Sequence, residues 1–334
     1  MADETIVAKS IQVRRATAAI ATANNKTLAA GEIGFETDTR KWKFGDGSTA
    51  WNSLPYAIDE VGHLVEGRLT LTSGESIPSS DVTAAGTLYF TLHNGNRIRI
   101  YDGSDWVVHT FAELSLSLSI TAGKNYDVFI YDDAGTLTLE LSAAWTNDTT
   151  RADALVLQDG VYVKSGTTTR LHLGTIRASG ANVTEDSGGH NTRNTASRRF
   201  VWNRYNQVEK ICWYHDNNSH AYNSATYRNW NNDANVAIEL LCGDYQDCDT
   251  LVYVRLQSGN AGDAAYAGTS RPPGTAYGFQ YVQTYDTELV GTSVSNPIPG
   301  VFGYEKIGVM EGSHAKITGD TIFSRCGIST MWRC

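Results

Sequence analysis

Two histidines, His215 and His220, bracket Asp216-Asn217-Asn218-Ser219, and this pair is the nearest the sequence comes to a metal site. It lacks a helical setting and a third ligand at a recognisable spacing, so both are expected to be polar loop residues. Asp244, Asp247 and Asp249 gather around Tyr245 but miss the alternating pattern of a calcium loop, and they read as a solvated turn between Cys242 and Cys248. No nucleophile elbow, zinc-protease helix or phosphate loop is present, and Gly45-Asp46-Gly47 reads as a turn. Carboxylates that might cleave a glycan occur in many places and carry no signature, and long β-helix repeats are absent. The expectation is a protein that is not an enzyme, with no catalytic residue, cofactor or metal.

Binding chemistry is better represented. Residues 213–232 interleave Trp213, Tyr214, Tyr222, Tyr227 and Trp230 with Asn, His and Ser. Aromatic faces stack on sugar rings while amides and imidazoles bond hydroxyls, so the composition suits a receptor surface for a glycan or protein, with Trp213, Tyr222, Tyr227 and Trp230 as its candidates. The same residues also suit the core of a β-sandwich or a trimer axis. Arg193, Arg198, Arg199, Arg204 and Lys210 form a local basic cluster that would either dock an acidic partner or lie on the solvent face of a strand.

The elements that must position these residues are strands. Gly is frequent and Pro scarce, and Thr, Tyr, Trp and Val are well used across 334 residues, which favours an all-β chain of more than one domain. A net charge of −9 argues against a nucleic-acid ligand. The N-terminus has no leader pattern and no run approaches a membrane span, so a soluble chain without membrane insertion is expected. All five cysteines, Cys212, Cys242, Cys248, Cys326 and Cys334, lie in the last part of the chain, without zinc spacing, and read as buried free thiols.

Residues 1–66 are expected to form an N-terminal attachment and trimerisation domain. Residues 10–13 alternate as a strand, and residues 17–24 suit a short helix capped by Thr17 and ended at Asn24-Asn25. Ile33 and Phe35, then Trp42 and Phe44, alternate on two strands of a hairpin, with Lys41 and Lys43 placed to pair with Glu36 and Glu32. So small a segment with Phe35, Trp42, Phe44, Trp51 and Tyr56 is expected to bury Ile33, Phe35, Trp42, Phe44 and Trp51 against copies of itself. Residues 67–178 read as a middle antiparallel β domain of successive hairpins turning at DGSD, DDAG and DG, with Leu137, Leu139 and Leu141 inward. Beyond a Gly- and Ser-rich loop, residues 179–334 read as a C-terminal β-sandwich domain.

The motifs GEIGFETDT and KFGDGSTAWNSLPY, preceded by RRATAAIATANN, closely resemble the N-terminal domain of the phage major tropism determinant family. The middle block, with LSLSI, AGKNYDVF and AGTLTLELSAAWTNDTTRADAL, resembles segments of phage tail and fibre proteins. These resemblances imply a bacteriophage virion structural protein assembled in the host cytoplasm: a homotrimeric tail fibre or spike with an N-terminal β-hairpin anchor, contacting other virion proteins and a host surface glycan or protein. A collar, neck or capsid-attached decorating spike and a polysaccharide depolymerase are the alternatives. In a particle released by lysis, Cys242 with Cys248, or Cys326 with Cys334, would be the pairs open to oxidation.

Overall fold

In the computed structural model the described residues are 13–54, 56, 64–188, 197–258, 264–271, 275–283, 290–313 and 321–334. The fold is all-β apart from short helices, and it divides into two compact units, Met1–Gly62 and His63–Cys334. In the first unit β1 (Arg14–Ala16) pairs in parallel with β2 (Ile33–Glu36), which pairs antiparallel with β3 (Trp42–Phe44). The strand expected at residues 10–13 falls largely outside the described residues. Between β1 and β2 lies α1 (Ala18–Asn24), whose Thr17 side chain accepts from Ile20 N and whose Asn25 closes the helix in the left-handed region. Both caps are residues chosen for those roles by their short polar side chains.

The hairpin register places Ile33 opposite Phe44 and Phe35 opposite Trp42, so the apolar residues do share a face. It is the polar face, however, that turns inward. Lys43 lies opposite Gly34 and donates Nζ to the Trp51 carbonyl at 2.7 Å, while Glu36 accepts from the Tyr56 hydroxyl at 2.8 Å. Glu32 bonds Arg14 and the Ala29 N–H, each at 2.8 Å, so the Lys–Glu ladder expected from sequence is replaced by these partners. The cause is Trp51, which with Leu28 and Leu54 forms the unit's own core and covers Gly34. A Cβ at Gly34 would sit 2.3 Å from the Trp51 ring, and one at Gly45 would sit 2.1 Å from the Ala29 carbonyl oxygen.

The second unit begins with β4 (Gly67–Thr70), β5 (Val82–Ala85) and β6 (Thr87–Leu92), then the hairpin of β7 (Arg97–Tyr101) with β8 (Trp106–Thr110), then β9 (Leu114–Ser117). Strands β4, β6 and β9 make a three-stranded sheet. A second hairpin joins β10 (Asn125–Asp133) to β11 (Thr136–Leu141), and a third joins β12 (Leu155–Gln158) to β13 (Val161–Lys164). Asp159 and Gly160 both adopt positive φ at the third turn, as a two-residue hairpin requires. Then follow β14 (Thr167–Gly180), β15 (Val183–Ser187), β16 (Ser197–Arg199), β17 (Val201–Asn203), β18 (Glu209–Asp216), β19 (His220–Ala221) and β20 (Arg228–Asn229). Five further strands complete the unit: β21 (Ala237–Ser258), β22 (Ala264–Arg271), β23 (Thr275–Gln283), β24 (Val290–Ser313) and β25 (Thr321–Arg333).

The division expected at residues 178 and 179 falls inside β14, and the chain does not part there. Strand β14 pairs with β10, β15 and β17, and β15 pairs back onto β5. Asn203 exchanges two hydrogen bonds with the Leu69 backbone, and Arg68, almost fully buried, donates to backbone oxygens of Ser76, Asn206 and Cys334. Two apolar cores nevertheless exist, and they meet at one peptide bond: Val201 belongs to the first and Trp202 to the second. Alternation along a strand sends these neighbours to opposite faces. The residues around Asp244, Asp247 and Asp249 are not a turn but an irregular part of β21, with register shifts between Cys242 and Gln246 and between Gln246 and Cys248.

A buried polar cluster joins the two cores. Asp127 Oδ1 accepts from His172 Nε2 at 3.0 Å and Thr175 Oγ1 at 2.8 Å, while Oδ2 accepts from Trp145 Nε1 at 3.0 Å and Arg151 Nε at 2.9 Å. Arg204 donates Nε to His172 Nδ1 at 2.8 Å, and because Arg has no acceptor, the imidazole must be neutral with its proton on Nε2. Burial pushes His172 down to about 4, against the opposing pull of Asp127. Burial works against the Asp127 carboxylate as well, yet His172, Arg151 and Thr175 hold it below its ordinary value.

All five cysteines are free and buried. Burial raises Cys212 and Cys242 to about 12 and Cys248 to about 11. Neither candidate pair can close. Cys326 lies in β25 and Cys334 just beyond its end, so extended chain holds them about 26 Å apart, against the roughly 4–7 Å that a disulfide spans. Cys242 and Cys248 share β21, opposite Gly303 and Ile298, a separation on the order of 16 Å.

The protonation of His172 sets an acid limb of stability. The unfolded chain binds this proton near pH 6.5 and the folded chain only near 4, so stability present above pH 6.5 is lost as the pH falls through that window, at up to roughly 1.4 kcal/mol per pH unit. Thermal melts of the wild type should show this slope and His172→Gln should flatten it; an unchanged slope in the variant would refute the assignment. The thiols should stay inert to Ellman's reagent at pH 8 until guanidinium unfolds the chain, and non-reducing gels should show no cross-linked species. A fast-reacting thiol in the native protein would contradict the packing.

Candidate functional site

Strands β18, β25, β21 and β24 lie side by side and leave one sheet face open. The registers place Trp213, Ser329, Leu251 and Ser295 in one row across it, and His215, Gly327, Tyr253 and Ser293 in the next. Leu251, Tyr253, Ser293 and Ser295 are exposed, and the half-buried Trp213 and His215 stack with centroids 6.0 Å apart. The intervening residues, Cys212, Tyr214, Val252 and Val254, point into the core. Tyr253 leans along the sheet: a Cβ at Gly291, diagonal to it on β24, would meet its hydroxyl at 3.0 Å and its ring at about 3.4 Å.

At one end this face falls into an open groove of about 720 Å³. Its walls carry Gln207, Glu209 and Ile211 on one side and Gln246, Asp247, Asp249 and Leu251 on the other, over a floor of Thr250 and Thr330. Within the floor, Thr330 Oγ1 donates to the Asp249 carbonyl at 2.6 Å. Gln246 donates to Gln207 Oε1 at 3.3 Å, Asp247 accepts from Gly300 N at 2.9 Å, and Arg333 is paired with Glu209 at 3.1 Å. The arrangement offers amides, carboxylates and hydroxyls beside flat apolar surface, which is equipment for holding a polyhydroxylated ligand.

The four residues expected to form a receptor surface do not form one. Trp230 is fully buried and donates Nε1 to Asp216 at 2.9 Å, and Tyr222 packs against the same core with Arg228 3.7 Å above its ring. Tyr227 is exposed and meets Tyr266 edge-on, leaving Trp213 as the one member on the open sheet face. Tyr253, Leu251 and the groove residues were not singled out by sequence; their signal was the alternation L-V-Y-V-R-L at 251–256, where a Tyr and a Leu share the face opposite two valines. His220 bonds the buried Glu311 and stands edge-on to Trp230, and no cluster able to hold a metal occurs among the described residues.

The basic cluster is spent internally. Arg198 pairs with Glu185 and Glu239, Arg199 and Lys210 with Asp186, and Arg204 with Asp244, while Arg193 lies outside the described residues. In the first unit, Trp51 is buried in its own core rather than offered to another chain. Trp42 and Phe44 are 40% and 51% exposed, and with half-buried Ile33 and Phe35 they make an uncovered apolar face.

Comparison with known proteins places the first unit. Residues 11–49 match the family model described as the major tropism determinant N-terminal domain. No curated protein matches the chain. Among solved structures, the Major Tropism Determinant I1 variant aligns at 17% identity and a TM-score of 0.27, over 60% of this chain and 46% of that one; the P3c variant aligns at 19% and 0.26, over 58% and 44%. A structure of the infectious bursal disease virus Gx strain aligns at 10% and 0.28, over 90% and 63%. The chain thus spans under half the length of the tropism determinant structures it matches. The family match covers residues 11–49 of the first unit, including Gly34 and Gly45, which pack closely against Trp51 and Ala29, and this unit is joined to a larger β unit.

Proposed function

We propose that the protein is a homotrimeric bacteriophage virion appendage, a tail fibre or spike. Its first unit attaches it to other virion proteins, and residues 63–334 face the host surface as a receptor-binding module that works by binding and not by turnover. The match of residues 11–49 to the tropism determinant domain carries the reading. The uncovered face of Ile33, Phe35, Trp42 and Phe44 supports the trimer. A unit whose own core is Leu28, Trp51 and Leu54 gains little stability alone, and joining such faces around an axis would remove aromatic surface from water three times over. Three copies per appendage and several appendages per particle raise the effective concentration, so each receptor site can be weak.

Multi-angle light scattering on the full chain should report three copies, and a monomer at micromolar concentration would refute the assembly. Trp42→Ala should weaken the trimer by about 3 kcal/mol, the scale of a buried large-to-small truncation, and leave the fold of each protomer intact. Trp51→Ala should instead unfold the first unit. The receptor role is tested separately: the purified full chain should compete with the parent phage for adsorption to its host, and failure to compete at saturating concentration would favour a decorating or collar protein.

A further inference from the structure

The groove and the sheet face beside it have a composition that suits one class of ligand. Resting on the receptor-binding reading, we infer that this groove, with Tyr253 and Trp213 as its adjoining platform, is a binding site for a neutral or amino-bearing glycan of the host surface. The groove volume of about 720 Å³ lies in the range of ligand sites and has room for a short oligosaccharide segment. Gln246, Asp247 and Asp249 present amide and carboxylate groups along the groove, the pair of chemistries that reads vicinal hydroxyls in both donor and acceptor sense, while the Gln207 amide is held by Asn203 and Gln246. Trp213 shares the register row of the groove residues Ser329 and Leu251, and the Tyr253 ring lies along the sheet beside Gly291 one row away; rings held along a sheet offer a face to the apolar side of a sugar.

Charge narrows the class. Asp247 and Asp249 are exposed, the one basic residue among the lining residues, Arg333, is tied to Glu209, and the chain carries a net charge of −9, so a polyanionic glycan would meet repulsion. A protein partner fits poorly for a different reason. The rows between the aromatics are Ser293, Ser295, Ser329 and Gly327, and interface cores are depleted in Ser and Asp relative to aromatic and aliphatic anchors. Closing this face under another protein would also desolvate two carboxylates.

The test uses the full chain and, as probe, polysaccharide released by mild acid from the surface of cells that adsorb the parent phage. Calorimetry should detect binding to the wild type, and Tyr253→Ala and Asp249→Asn should each weaken it by about tenfold or more while Leu157→Ala, an exposed residue of β12, does not. Tyr253→Phe, which keeps the ring, should retain binding and guards against a loss caused by misfolding. Gly291→Ala should weaken binding by displacing the Tyr253 ring and its hydroxyl, with no change to the groove's own polar groups. If the wild type blocks phage adsorption but does not bind the polysaccharide, the receptor is a protein and the glycan inference is overturned while the receptor role stands. If the wild type binds and the groove variants bind equally, the site is elsewhere and the inference is again overturned. If the chain neither binds nor blocks, the receptor role falls with it.

Discussion

The second unit depends on one buried carboxylate. Asp127, on β10, collects four hydrogen bonds from His172 and Thr175 on β14 and from Trp145 and Arg151 in the chain between β11 and β12. A buried carboxylate left short of partners costs several kcal/mol, so these segments can be ordered only together. Arg204 extends the cluster across the boundary between the two cores by bonding His172 on one side and Asp244 on the other. Arg177 makes a second crossing: it bonds Asn125 and Asp148 and lies 3.5 Å from the Tyr304 ring, whose hydroxyl donates to Glu239. The apolar cores are separate, and polar groups that tolerate no loss of partner make them one unit.

The first unit inverts the usual amphipathic argument. Its hairpin alternates apolar and polar as a half-buried strand should, yet the protomer keeps the polar face inside, where Lys43 and Glu36 bond Trp51 and Tyr56. A lone Lys is costly to bury, and burial lowers the Lys43 pKa even with Glu36 nearby. The arrangement persists because the Lys43 stem and ammonium lie over the Trp51 and Tyr56 rings at 5.1 and 4.3 Å while the head reaches a carbonyl. What remains outside is aromatic, a poor surface for a chain meant to stay alone in water.

Much of this was legible in the sequence, for identifiable reasons. Thr17 and Asn25 bounded the helix because capping chemistry is local, and the DG and DDAG turns set three hairpins because positive φ selects few residues. The family signature at residues 11–49 includes Gly34 and Gly45, positions where a close approach to Trp51 or to Ala29 leaves no room for a side chain. The domain division was misplaced because a Gly- and Ser-rich stretch looks like a linker whether or not the strands around it pair across it. The proposed receptor surface misled for a related reason: Trp230 and Tyr222 have the composition of a binding site, but their burial is decided by Asp216 and Arg228, partners that the spacing does not reveal. The salt-bridged fate of Arg198, Arg199, Arg204 and Lys210 was hidden in the same way, since each acid that pairs with them is a long-range contact.

The groove draws its shape from the cluster around Asp127. Strand β21 loses register with β24 twice between Cys242 and Cys248, and such shifts re-aim the side chains that follow. The irregular segment is held from below: Arg151 donates to the Gly243 carbonyl, Arg204 bonds Asp244, and Gly300 N bonds Asp247. Gly243 has no room for a side chain, since a Cβ there would sit 2.3 Å from the Trp202 ring and 2.5 Å from Thr175, itself a partner of Asp127. The residues that turn Gln246, Asp247 and Asp249 toward the groove are thus fixed by the same buried atoms that join the two cores. A wall ordered in this way has little conformational entropy left to lose, so a ligand of the kind proposed would bind it without the cost of ordering a loop.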